Sequence, residues 1–469
     1  MSNITMSEEK FMNSSIFLFL DLIIIAAAGW LYWIIISKLI SISEVGQSTA
    51  LYSLVFLTGT LIGLGLEYPL LKKTSIVGSK VIVSAVIIEM IITMAAIPIV
   101  IYVLSGIHTG DLESVTLVCL IMLIFTTLAF VGRFSLLGVS ASKTILIIDS
   151  IGTVVKFATA YILVSAGFGV LGVLISFMLY AVITALISLS LVYRKFGFSI
   201  EKMRYIKETL YDGIVNLPSV FSRTLVISLS VVLLASFGVA SSEIGSFYIA
   251  LMISIFAGGL ISSTAYMAIP ASTRSQTDLS HISIRIGISL TAPVIAVLIA
   301  SPQFILSLIG SQYVSGALIL VILAIAILPF AITANTISRL NYINNSKRLI
   351  SIGSLQLIIF LASFIVLVPE FNALGAAISI LLAYTASCIL SLIWSEKILL
   401  RYIGSVIVAV TAAWFISKIF SWLLPDGNIE LFLTILSSIT ITLAIIFALK
   451  NTSPSEVTKL FKALINRTT

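Results

Sequence analysis

Ser43-Glu44-Val45-Gly46 recurs as Ser242-Glu243-Ile244-Gly245, 199 residues later. Each tetrad opens an apolar run that closes near a proline, Pro69 in the first copy and Pro270 in the second. Gly59 matches Gly258 at the same offset. Further on, Leu171-Gly172-Val173-Leu174-Ile175-Ser176 recurs as Leu374-Gly375-Ala376-Ala377-Ile378-Ser379, an offset of 203. The chain therefore reads as a duplication of about 200 residues, each copy a series of apolar runs. A duplicated helical bundle in a membrane points to transport, because substrate sites form where repeats meet.

The apolar runs decide the class. Of 469 residues, 59% are hydrophobic and 10% charged, and the mean hydropathy is +1.21. A soluble domain carries about 25% charged residues, so this composition implies an integral membrane protein. Runs of roughly 20 residues suffice to cross ~30 Å of hydrocarbon. Strand-type alternation is absent, which leaves helices as the spanning element and an all-α fold.

Fourteen spans are predicted: 16–37, 47–70, 80–104, 115–138, 144–166, 169–193, 213–237, 245–270, 282–307, 315–338, 349–369, 373–395, 402–424 and 428–449. The tightest division is at Gly167-Phe168-Gly169, and Pro369-Glu370-Phe371-Asn372 punctuates the matching place in the second copy. Spans one to six and seven to twelve form the copies, giving lobes at 1–200 and 201–400. Two further spans and a tail occupy 401–469. Because six is even, both copies enter from the same side, a parallel repeat around a central cavity.

The net charge of +7 is accounted for by topology rather than by nucleic acid. With both termini cytoplasmic, Lys38 and Lys418 fall outside, Lys156 and Arg223 fall within helices, and the other 22 of 26 Lys and Arg fall in tails, inner loops and cytoplasmic helix ends. The outer loops carry Glu44, Asp111, Glu113, Glu243, Glu370, Asp426 and Glu430. The first 15 residues are polar and mixed in charge, so no cleaved signal is expected. Cys119 and Cys388 fall inside spans and read as packing residues. His108 and His281 stand alone in loops, so neither a metal site nor a cofactor is expected. The outer loops leave no room for a catalytic domain, which argues against an enzyme.

Charges inside spans are the candidate site residues, since each costs roughly 2.5–3.5 kcal/mol at mid-membrane on insertion scales. They are Asp21, Glu67, Glu89, Asp149, Lys156 and Arg223. Asp149, Thr153, Lys156 and Ala160 form one helical stripe. Asn216, Ser219, Arg223 and Ser230 form another, with Pro218 inside it. Adding the repeat offset to Asp21 lands beside Arg223, which suggests opposite charges at equivalent positions of the two copies. Glu67 and Asp149 lie near cytoplasmic ends, where snorkelling to water is the simple reading. Ser43 and Ser242 read as helix caps with the following Glu in the first turn.

Ser43-Glu44-Val45-Gly46, Tyr52, Gly63-Leu64-Gly65-Leu66-Glu67, Gly213, Pro218 and Glu243-Ile244-Gly245-Ser246-Phe247-Tyr248-Ile249-Ala250 together resemble polysaccharide flippases of the Wzx type, in the multidrug/oligosaccharide-lipid/polysaccharide exporter superfamily. The resemblance spans roughly 15–400 and implies twelve core helices in two lobes, with two more here. It implies flipping of polyprenyl-(pyro)phosphate-linked sugar from the cytoplasmic to the outer leaflet; the chain is expected to act in the cell membrane, as a monomer. Cationic cavity residues would face the phosphate, a role open here to Lys156 and Arg223, with Asn216 and Ser219 beside the latter. Where relatives often carry an acid in span seven, this chain has Arg223-Thr224-Leu225. The alternative is a cation-coupled multidrug exporter in which Asp21 binds a proton or sodium ion. A membrane-embedded glycosyltransferase would need acid/base or metal-binding loop residues that the sequence lacks.

Overall fold

The computed structural model of the chain describes residues 17–448, apart from 18–19, 22–23, 26, 108–110, 140, 198–202, 221–225, 276–279, 344, 395–397 and 424–427. Every regular element among them is helical: α1 (Ala27–Ile36), α2 (Ile42–Ile62), α3 (Glu67–Val77), α4 (Ser79–Ile107), α5 (Leu112–Gly138), α6 (Ser142–Ser165), α7 (Gly169–Phe196), α8 (Met203–Val220), α9 (Val226–Ser236), α10 (Ser241–Ser275), α11 (Ser280–Ala300), α12 (Pro302–Ser307), α13 (Ala317–Tyr342), α14 (Ser346–Ile393), α15 (Ile398–Leu423) and α16 (Asn428–Ala448). A short 3-10 turn, Ser311–Gly316, precedes α13.

Nine helices among the described residues are long and apolar enough to cross a membrane, the longest being Lys347–Ile393. That one is two helices joined at Asn372, whose φ of 47° and ψ of −129° break the helical path just after Pro369. Four shorter apolar helices, at Ala27–Ile36, Val226–Ser236, Gly287–Ala300 and Gly404–Phe420, fall on the remaining predicted spans. Each of the fourteen predicted segments thus holds an apolar helix, and the protein is multi-pass.

Some boundaries differ from the sequence reading, for local reasons. The second span is not one helix: α2 ends at Ile62, and Leu64 (φ 43°) and Gly65 (φ 74°) turn the chain before α3 starts at Glu67. Ser43 is not the cap. Ser41 is, because the Ser-x-x-Glu spacing runs from 41 to 44: the Ser41 hydroxyl accepts from the Glu44 N–H at 3.2 Å, and the Glu44 carboxylate accepts from the Ser41 N–H at 2.9 Å. The α6–α7 hairpin turns where the sequence placed it, with Gly167 (φ 90°) and Gly169 (φ 47°) supplying the left-handed backbone that a side chain resists.

The described helices fall into two compact units, residues 1–248 with 368–373, and residues 249–367 with 374–469. In the first, α5, α6 and α7 pack side by side, and α2 lies against α4, α5, α7 and α9. Its apolar core gathers Leu66 just ahead of α3, Leu70 of α3, Ile82 and Ala85 of α4, Val131 of α5 and Ile148 of α6. The repeated tetrads meet here: a Cβ on Gly46 would strike the Ser241 carbonyl oxygen, and one on Gly245 would strike the Ile42 carbonyl oxygen. The starts of α2 and α10 therefore touch backbone to backbone, and only glycine permits that approach.

In the second unit, α11 packs on α13, α15 and α16, and α15 lies along α16. An apolar cavity of about 640 Å³ is lined by Ile325, Leu328, Ile332, Leu381, Val410 and Trp414, with Cys388 at its wall. Cys119 and Cys388 are both buried and unbonded, as packing residues are.

Candidate functional site

In the first unit, three helices and the segment ahead of α1 bring distant charges together. Arg133, five residues before the end of α5, reaches between two carboxylates. One terminal nitrogen donates to Asp21 Oδ2 at 2.6 Å, and the other donates to Asp149 Oδ2 on α6. Tyr180 on α7 donates its hydroxyl to Asp149 Oδ1 at 3.3 Å. Asp21 is 0% exposed and Asp149 5%, so both carboxylates are out of water. A buried carboxylate needs a counter-charge or hydrogen-bond donors. Arg133 supplies both, its planar fork allowing one nitrogen for each acid. Asp21 Oδ1 stays without a hydrogen bond.

Two sequence expectations change here. Asp149 does not snorkel to water; it is buried and paired, because α5 and α7 close over that face of α6. Asp21 has a counter-charge in Arg133; Arg223 lies outside the described residues. Asn216 and Ser219 lie on α8, but their side chains are likewise outside the described set. Glu67 does not snorkel either. It is 9% exposed and opens α3, where its charge faces the positive end of the helix.

Arg133 was the residue that sequence reasoning missed. Five residues from a helix end, it passes for one more cytoplasmic, topology-setting cation. The signal was present in Gly132-Arg133, a cation inside the predicted span 115–138 and beside a glycine that lets α7 approach at Ser188.

Lys156 lies two turns from Asp149 on the same face of α6, about 10.5 Å along the axis. Its ammonium is half-buried among rings rather than acids. It stands 5.0 Å from the Tyr32 ring centroid, 5.0 Å from Phe177 and 5.4 Å from Tyr180. Three π-faces hold a cation in place by their quadrupoles but leave its charge uncancelled. No carboxylate among the described residues pairs with it. The rings belong to a larger aromatic cluster. Trp33 meets Tyr248 at 5.2 Å and Tyr52 meets Phe177 at 4.2 Å, while the Tyr32 hydroxyl hydrogen-bonds Ser176 at 2.8 Å. Tyr180 joins the two groups, its hydroxyl on Asp149 and its ring under Lys156.

Glu89 on α4 stands apart from both groups. It is 0% exposed, and neither carboxylate oxygen has a hydrogen-bond partner.

No family model and no curated protein matches the chain. Solved structures do match its fold. A lipid II flippase, MurJ, in an inward closed conformation aligns with a TM-score of 0.71 at 12% identity, over 94% of this chain and 98% of its own. An inward-facing multidrug resistance MATE family transporter of the MOP superfamily aligns with a TM-score of 0.60 at 15% identity, over 81% of this chain and 97% of its own. The MATE multidrug transporter DinF-BH aligns with a TM-score of 0.58 at 14% identity, over 82% of this chain and 94% of its own. At such identities the likeness establishes the fold and nothing finer.

Proposed function

We propose that this protein is a flippase that carries polyprenyl-(pyro)phosphate-linked oligosaccharide from the cytoplasmic to the outer leaflet of the cell membrane. One observation carries the reading: Lys156 sits deep in a span, ringed by Tyr32, Phe177 and Tyr180, with no anion among the described residues paired to it. A membrane protein keeps such a charge where a ligand of opposite sign arrives. The nearby carboxylates are not available to a cationic substrate on the same terms, because Arg133 already bridges them. A phosphate on the lipid carrier fits the free ammonium, and the surrounding rings suit the apolar faces of sugars. Arg223 would hold a second phosphate oxygen, as the sequence suggests. The shared fold with a lipid II flippase agrees with a lipid-linked substrate.

In this reading, residues 1–200 and 201–400 are parallel lobes that rock to expose a central cavity to each side in turn, and 401–469 adds two spans and a cytoplasmic tail. Both termini are cytoplasmic and the protein acts as a monomer. The second reading is a cation-coupled drug exporter. It has one specific observation in its favour, the unsatisfied Oδ1 of buried Asp21, together with the MATE neighbours.

Reconstituted protein decides between them. Liposomes carrying a fluorescent polyprenyl-pyrophosphate sugar should show leaflet exchange that is lost on Lys156→Ala. Accumulation of a cationic dye by the same vesicles, with no exchange of the lipid-linked sugar, overturns the flippase reading.

A further inference from the structure

Glu89 is a buried acid that holds nothing together. It lies ten residues into α4, about 15 Å along the helix, on the stripe formed with Ile82, Ala85, Thr93 and Val100, all buried. The opposite face, with Ile91, Met94, Ile99 and Tyr102, is exposed, as a lipid-facing surface is. Glu89 thus points into the protein. The Thr93 hydroxyl donates to the Glu89 backbone carbonyl at 2.7 Å, not to the carboxylate.

The described side chains of the helices packed on α4 supply no partner. On α2, Glu44 is bound to Ser41 and Tyr52 stacks on Phe177. On α3, Lys73 pairs with Asp212 of α8, and Glu67 stands at the helix start. On α5, Arg133 is held by Asp21 and Asp149, Glu113 is exposed at the far end, and Cys119 is a buried free thiol. On α8, Tyr205 lies under Lys80, while Lys207, Glu208 and Tyr211 are exposed. The described part of α9 has no ionisable residue. Among the described residues, none hydrogen-bonds Glu89 or forms an ion pair with it.

An unpaired carboxylate in such a place is far more costly than the neutral acid, and an aliphatic side chain would cost less than either. A fixed negative charge is therefore incompatible with this environment, and a structural role for the carboxylate is incompatible with its lack of any polar partner. A group that exchanges one proton meets both conditions: neutral while enclosed, ionised when another conformation admits water. We propose that Glu89 is the proton-carrying site of this transporter, separate from the Asp21–Arg133–Asp149 cluster. One proton binds the carboxylate from the aqueous phase on one side, and the O–H bond breaks to release it on the other. This rests on reading the chain as a transporter, and it names the ion whose movement accompanies substrate.

The test uses full-length protein in liposomes loaded with a pH-sensitive dye and supplied with the fluorescent polyprenyl-pyrophosphate sugar. Wild type should move protons together with the sugar. Glu89→Gln should move none above background, and Glu89→Asp, which keeps an exchangeable proton, should restore part of the flux. Infrared difference spectra between acidic and alkaline buffer should show a carboxylic C=O band that Glu89→Gln removes. Glu89→Gln and Glu89→Leu should both remain monodisperse and melt no lower than wild type, since the carboxyl bonds to nothing. Proton movement by Glu89→Gln equal to wild type overturns the proposal, as does sugar exchange by wild type without protons. The latter leaves the flippase reading intact. Proton movement by wild type with a cationic dye, and no sugar exchange, sinks the flippase reading alone; the same variants then decide Glu89.

Discussion

Arg133 and Asp21 lie 112 residues apart in sequence and meet at 2.6 Å. The guanidinium's other end binds Asp149, so one cation ties α5 and α6 to the segment ahead of α1. Arg133→Ala would strand two carboxylates in a dry interior. Breaking a buried pair from one side costs about 3–5 kcal/mol, and here two acids are released together. The expected result is a marked fall in the detergent melting temperature. The triple variant Arg133→Ala, Asp21→Asn, Asp149→Asn should recover much of it, because no uncompensated charge remains. Equal melting of Arg133→Ala and wild type would refute the bridge.

Lys156 should separate charge from packing. Lys156→Met keeps a long apolar stem against Tyr32, Phe177 and Tyr180 and removes the ammonium. Folding should change by no more than about 2 kcal/mol, the scale of cation–π contacts withdrawn from water. Binding of the lipid-linked pyrophosphate, measured by titration in nanodiscs, should fall to background. Retained binding would remove Lys156 from the site.

Gly46 and Gly245 should refuse larger residues. A side chain at either place meets a backbone carbonyl across the contact of α2 with α10. Overpacking of this kind costs typically about 1–3 kcal/mol. Gly46→Val and Gly245→Val should therefore lower the melting temperature, while Gly29→Val, at a place with open space around it, should not. Melting of Gly46→Val and Gly245→Val equal to wild type would show that the close approach is not held in the membrane.

Topology gives a prediction independent of substrate. In a background lacking Cys119 and Cys388, single cysteines at the exposed positions Glu113 and Gly238 should label from outside, and those at Ser75 and Lys195 should not. The reverse pattern would invert the orientation and with it the direction of transport.

Much of the architecture was legible in one dimension because a membrane imposes it locally. Twenty apolar residues must form a helix in hydrocarbon, so the spans, the hairpin at Gly167-Phe168-Gly169 and the break near Asn372 follow from composition and punctuation. The deep charges Asp21, Glu89, Asp149 and Lys156 were also visible, since each stands against an apolar background. The repeated tetrads Ser43–Gly46 and Ser242–Gly245 marked two helix starts, though nothing in either copy said that they touch.

Only the tertiary structure decided which charges meet. Pairing depends on helix rotation and neighbour order, which a periodic apolar sequence leaves open, and on long-range contacts such as that of Arg133 with Asp21. A cation five residues from a helix end reads as a snorkelling residue until Asp21 and Asp149 are seen to hold it. Likewise, Asp149 and Lys156 share a stripe on α6, yet they part company because one meets a guanidinium and a phenol while the other meets three aromatic faces. The sequence determined that charges are buried in this membrane protein; packing determined that Asp21 and Asp149 are answered from within the protein and that, among the described residues, Lys156 and Glu89 are not.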